Sequence, residues 1–186
     1  RDDAKSHMAF EKENVYQFAK IFPRIRDHID YSRQALLRSA QTHALAVEKP
    51  AELFTKSRLD VDAPMNVFTY RFDWDELQTN FLWNLTELIG AGKGLEVEFV
   101  FGEFISGLSL PNLYDPSTKN SRDALSKLIM NYWGNFAHSG SPNIGKTAGQ
   151  PFWKAWTADG ANTLLLDSEE GGGVRMYERR LKIEDL

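Results

Sequence analysis

A chain of 186 residues with 42% hydrophobic and 26% charged side chains can enclose a sizeable core and has the composition of a soluble folded protein. Its net charge of −4, with no basic block, sets nucleic acid aside as a partner. No apolar run approaches the roughly 18–20 residues of a membrane span, and the absence of cysteine excludes disulfides, thiolate metal sites and cysteine nucleophiles within the chain.

Arg1–Ser6 opens without an initiator Met, a cap or an apolar leader, and reads as continuing from sequence upstream. The acidic pair Asp2-Asp3 fits a helix cap or a loose loop. Residues 11–60 form a helical region. Val15, Phe18, Ala19 and Phe22 recur at spacings of three and four, and Pro23 ends that helix or starts the next. Ile25, Ile29, Leu36, Leu37, Ala40 and Ala44 continue an apolar face toward Val47; Lys49-Pro50 is expected to break it, with a further helix over Ala51–Leu59. His28 and His43 lie in these helices without a metal-ligand spacing and read as surface or packing residues. The mixed-sign runs Glu11–Glu13 and Glu178–Arg180 read as solvated faces.

Val67–Phe72 is β-branched and aromatic, which predicts an interior strand. Trp83, Leu85 and Leu88 lead from it to Gly90–Gly102, which reads Gly-Ala-Gly-Lys-Gly-Leu-Glu-Val-Glu-Phe-Val-Phe-Gly. Its glycines allow a tight turn, and Val97, Phe99 and Phe101 alternate with Glu98 and Val100. A glycine loop closed by a buried aromatic anchor can present one side chain, here Lys93, although a plain turn reads equally well. Pro111–Asn120 is polar and predicts a surface loop. Ser121–Ala137 predicts an amphipathic helix with Ser121 as N-cap and a buried stripe of Leu125, Leu128, Ile129, Tyr132, Trp133 and Phe136. Gly140-Ser141-Pro142-Asn143 stops it. Thr163–Asp167 and Val174–Arg180 predict two closing strands joined through Glu169–Gly173. Nothing in the pattern asks for a metal or a cofactor.

The stretch at Gly90 resembles the histidine loop of the type-B carboxylesterase and cholinesterase family, Gly-Ala-x-His-Gly-x-Glu-x-x-Phe-Val-Phe-Gly. Gly90, Ala91, Gly94, Glu96, Phe99, Val100, Phe101 and Gly102 match it, while Lys93 stands where the family has its catalytic histidine. Arg1-Asp2-Asp3 resembles the family's Arg-Asp-Glu, which puts Asp3 on the triad-acid position. Tyr70–Glu76 resembles the strand preceding the loop in bacterial carboxylesterases. Leu125-Ser126, Tyr132-Trp133, Asn135-Phe136-Ala137, Gly140-x-Pro142-Asn143 and Pro151-Phe152-Trp153 with Trp156 are similar to the family's next helix and the segment after it. In order along the chain, the resemblance runs from Arg1 to about Arg180 and is weakest between Glu11 and Asp60.

The resemblance implies the C-terminal segment of one α/β-hydrolase domain, with residues 11–60 helical. Residues 61–186 would supply the sheet edge, the histidine-loop region, the long helix and the closing strand pair. It implies a serine ester hydrolase in which Ser6, His7, Phe10 and Leu95 contact substrate. Animal members are typically secreted and disulfide-bonded, so a cysteine-free chain points to a microbial enzyme, cytoplasmic rather than secreted.

Such an esterase needs a serine on a Gly-x-Ser-x-Gly elbow, and Gly107-Leu108-Ser109-Leu110-Pro111 fails at its last place. In this fold the chain order is Ser, then Asp or Glu, then His, so the nucleophile is expected upstream, in a separate N-terminal part acting as this segment's partner. The ester itself is a small molecule whose identity the residues do not specify. A triad histidine must accept and return a proton, whereas an ammonium has three donors and no acceptor. An ion pair between Lys93 and Asp3 is the expected ground state, and the triad reads as inactivated. His138, at the end of the aromatic helix, and His7 are poor substitutes for a group at the loop tip. Two other readings stay open: a non-catalytic cholinesterase-like binding protein, and an unrelated helical interaction domain, against which the predicted strands argue.

Overall fold

A computed structural model describes residues 25, 27–57, 66–79, 84–104, 113–145, 147–160 and 162–177. In chain order these form α1 (His28–His43), a π-helical turn (Ala44–Glu48), α2 (Lys49–Ser57), β1 (Thr69–Phe72), α3 (Leu85–Ile89) and α4 (Glu96–Phe101). A 3-10 turn (Pro116–Thr118), α5 (Lys119–Ser139), β2 (Thr163–Leu166) and β3 (Arg175–Tyr177) complete the order. The chain divides into two units, one of Arg1–Arg26 with Phe72–Met130 and the other of Asp27–Arg71 with Asn131–Leu186.

In the second unit, α1 starts at Asp27, whose carboxylate accepts from the backbone N–H groups of Ile29 and Asp30 at 3.0 Å each. The expected break at Lys49-Pro50 does not occur. Proline lacks an N–H and its ring crowds the carbonyl four residues back. The backbone answers by widening into a π turn, with Lys49 N–H donating to the Ala44 carbonyl, and the helix resumes as α2. His43 is buried there, 3.8 Å from Glu48. The apolar face expected of α1 is solvent-facing instead: Ile29 is 83% exposed, and Leu36 and Leu37 are exposed too. Apolar spacing marks a helix, but it cannot say what covers the face.

The sheet has the order β1-β2-β3. Antiparallel β2 and β3 pair Thr163 with Tyr177, Leu164 with Met176 and Leu165 with Arg175, so the closing hairpin forms where its β-rich runs placed it. All four residues of β2 are buried, as a Thr-Leu-Leu-Leu run without polar alternation requires. Among the described residues β2 therefore holds the centre and β1, expected to be interior, lies at an edge. The threonine hydroxyls of Thr69 and Thr163 lie 3.2 Å apart, and Thr69 also donates to the Asn162 carbonyl at 2.8 Å.

This unit packs around Trp153. The rings of Phe68, Tyr70, Tyr132 and Trp133 surround it at 5.9, 6.4, 5.3 and 5.6 Å between centroids, three of them edge-on. Its indole N–H donates to the Thr69 carbonyl at 3.1 Å. Asn143, from the turn that stops α5, donates to the Trp153 carbonyl and accepts from its N–H, both at 2.8 Å. The C-terminal half of α5 thus buries Tyr132 as its period predicts, while Phe136 stays about half exposed against Phe68.

Helix α5 begins earlier than its sequence suggested. Asp115 caps the 3-10 turn that runs into α5, accepting from Ser117 N–H at 2.8 Å, and Ser121 is not a cap but donates to the Thr118 carbonyl from inside the helix. A proline at the first position of the 3-10 turn makes this start favourable.

Candidate functional site

In the first unit, α3 is capped by Asn84, whose side chain accepts from Glu87 N–H at 3.0 Å, and ends at Gly90. The chain then turns through Ala91–Leu95 before α4. Gly92 N–H donates to the Gly90 carbonyl at 2.8 Å and Leu95 N–H to the Gly92 carbonyl at 3.1 Å. Gly94 has φ +98°, a left-handed conformation that a side chain would resist. Its N–H donates to the Glu96 carboxylate at 2.7 Å, so Glu96 folds back over the turn that follows Lys93. Lys93 is solvent-exposed at the tip. Leu95, two residues on, is buried beneath the loop.

The alternation of Val97, Phe99 and Phe101 does not make a strand. The run is helix α4, with Phe99 fully buried, Val97 exposed and Phe101 71% exposed. Six residues fit either period, and only the burial of Phe99 separates them. Phe99 does serve as the aromatic anchor: Phe72, Trp74 and Phe104 each lie 5.0 Å away between centroids. Ser126 on α5 donates to the Phe99 carbonyl at 2.8 Å.

Around this anchor sit residues that no sequence signal singled out. Leu113 and Tyr114, read as part of a surface loop, are instead tied into the core. Leu113 is buried, its carbonyl accepts from Gln78 N–H at 3.0 Å, and Tyr114 forms an antiparallel bridge with Leu77. The Tyr114 hydroxyl donates to the Glu98 carboxylate. The Arg122 guanidinium lies over the rings of Phe104 and Tyr114, at 4.2 and 4.8 Å. Burial, then the hydrogen bond to Glu98 and the charge beside it, push the Tyr114 hydroxyl well above the usual phenol range, while Arg122 opposes them. Aromatic content flanking the stretch was the one available clue, and it does not name partners.

Of the residues assigned to the site, Lys93 and Leu95 lie in the same turn, Lys93 exposed and Leu95 buried. Asp3, Ser6, His7 and Phe10 lie outside the described residues. His138 is exposed near the end of α5. Among the described residues no group of three or more His, Asp or Glu side chains could hold a metal ion, and no helix is long and apolar enough to cross a membrane.

The model of the carboxylesterase family matches residues 8–183. An acetylcholinesterase of Gallus gallus is 38% identical over 111 residues, covering 57% of this chain and 13% of that protein. Carboxylesterase 4A of Bos taurus is 37% identical over 93 residues, covering 50% of this chain and 14% of that one. A PNB esterase structure superposes with a TM-score of 0.43 at 25% identity, over 61% of this chain and 20% of that chain. The chain thus spans about a seventh of the length of the curated relatives named here. The described residues contribute helices and a small three-stranded sheet. With the family model covering nearly its whole length, the chain belongs to the carboxylesterase family.

Proposed function

We propose that this chain is one segment of a serine carboxylesterase that cleaves small carboxylic esters through an acyl-enzyme. Another segment of the same esterase carries the serine and the oxyanion donors, and this one contributes the acid position, Asp3, the base position, Lys93, and pocket residues Ser6, His7, Phe10 and Leu95. The observation that carries the reading is the glycine turn between α3 and α4, which presents the residue at position 93 to solvent while Phe99 anchors the loop behind it.

Lys93 sets the activity. The serine hydroxyl must lose its proton as it attacks the ester carbonyl, and that proton is later given to the leaving oxygen, which departs as the alcohol. An imidazole does both, whereas an ammonium at position 93 offers no lone pair. As written, the assembled enzyme therefore keeps only what its oxyanion donors and binding supply, about 10³–10⁴ over water in the serine-protease template. The same substitution favours a second reading, a cholinesterase-like protein that binds esters without cleaving them.

The test is p-nitrophenyl acetate turnover by the esterase reassembled with its serine-bearing segment. Lys93→His is expected to raise turnover by orders of magnitude, and Asp3→Asn added to it to lower turnover again, because the imidazole loses its orienting carboxylate. Full activity with Lys93 in place sinks the assignment of the base position. Ester binding with no gain from the histidine supports the binding protein instead.

A further inference from the structure

Tyr114 reaches both flanks of the loop that carries position 93. On one side its backbone bridges to Leu77, whose carbonyl accepts from the Thr86 hydroxyl at 3.2 Å; Thr86 donates also to the Asp75 carbonyl at 2.8 Å and lies in α3. On the other side its hydroxyl donates to Glu98 in the middle of α4. The ring between these two ends is confined. Phe104 and Trp74 pack against it at 5.4 and 5.7 Å, and the Arg122 guanidinium sits over it at 4.8 Å.

Helix α4 needs such a strut. With six residues it is far below the length at which a helix holds itself together, and Leu95 at its N-terminus provides no side-chain cap. Its orientation is therefore set by what its side chains and last carbonyls touch. Phe99 fixes one point of the helix in the core and Ser126 fixes its carbonyl. Two fixed points on one residue leave rotation about that residue open. Glu98 on Tyr114 is a third point, on the residue before Phe99.

We propose that Tyr114 is a positioning residue for position 93: its backbone holds the α3 flank and its hydroxyl, through Glu98, holds α4, so that the intervening turn presents its tip side chain in one orientation. The inference rests on reading position 93 as a functional position of the esterase, but its test needs no catalysis. Arg122 keeps the phenol ring in place and so acts through Tyr114.

The absence of cysteine lets Lys93→Cys carry a single nitroxide label, whose electron paramagnetic resonance line shape reports motion at the loop tip. In that background Tyr114→Phe removes the hydroxyl and keeps the ring. Tyr114→Phe and Glu98→Ala should each speed the label's nanosecond motion by about twofold. The two together should add nothing further at the loop tip, since each already removes the shared Tyr114–Glu98 contact. Glu98→Gln, which keeps an acceptor oxygen, should leave the label as slow as in the parent. Tyr132→Phe is the matched control, because it deletes another buried tyrosine hydroxyl, which donates to the Pro151 carbonyl at 2.7 Å. Unchanged motion in Tyr114→Phe, an equal change in Tyr132→Phe, or simple addition in the double variant would each overturn the proposal. Faster label motion in Tyr114→Phe with no hydrolysis by the reassembled Lys93→His enzyme would sink the esterase reading while showing that Tyr114 holds the loop tip.

Discussion

Ser126 donates its hydroxyl to the carbonyl oxygen of Phe99 at 2.8 Å, and this bond closes the far end of the helix that follows Lys93. Phe99 lies in the last turn of α4, where carbonyls lack intrahelical donors, and both residues are buried. Ser126→Ala leaves that carbonyl unpaired away from water. The expected loss is about 1–3 kcal/mol, read as a lower urea midpoint at unchanged slope. A midpoint equal to the parent's would mean that water or another donor replaces the serine.

Gly102 ends the same helix with φ +69°, and a Cβ built there would meet Met130 Sδ at 3.0 Å and Cε at 3.2 Å. Two costs compete in Gly102→Ala. Left-handed backbone costs an L-residue about 1–2 kcal/mol, whereas a methionine end is flexible enough to move aside. The backbone should dominate. Adding Met130→Ala to Gly102→Ala should therefore recover none of the lost stability; recovery would assign the cost to the steric contact.

Asn143 makes two bonds to one buried residue, accepting from Trp153 N–H and donating to its carbonyl. Asn143→Ala leaves a donor and an acceptor unmet at about 1–3 kcal/mol each, read as a lower melting temperature. Asn143→Asp can still accept but cannot donate, so its melting temperature should fall between the parent and the alanine variant. Equal melting temperatures for the aspartate and alanine variants would show that the donated bond carries the whole effect.

Tyr132 gives a pH dependence. Burial pushes its hydroxyl up to about 12, and Gln150 opposes the shift weakly. The folded state therefore holds a proton that the unfolded chain releases near pH 10. Stability from this group is fully present below about pH 10 and is lost as pH rises toward 12. Urea midpoints between pH 9 and 12 should fall less steeply in Tyr132→Phe than in the parent. Identical slopes would show that Tyr132 ionises freely in the folded protein.

Much of the scaffold was legible because its signal is local. The period of Leu125, Ile129 and Tyr132 places one face of α5 inward, and the run Thr163–Asp167, bounded by the turn signals of Glu169–Gly173, read as a closing strand and is one, buried throughout β2. The turn around Lys93 was legible from its glycines, of which Gly90 and Gly94 take positive φ.

What the sequence by itself determined, then, is which residues form the turn, which helix is amphipathic and which family these phrases belong to, since each is written in neighbours a few residues apart. Only the tertiary structure decided that Val97–Phe101 is helix, that Pro50 is absorbed by a π turn, and that Leu113-Tyr114 leaves its polar surroundings to bridge Leu77 and hold Glu98. The reason is physical. A short apolar run is compatible with two periods until a core chooses one. A tyrosine's hydrogen bond depends on an acceptor brought near it by packing, and no spacing along the chain encodes that distance.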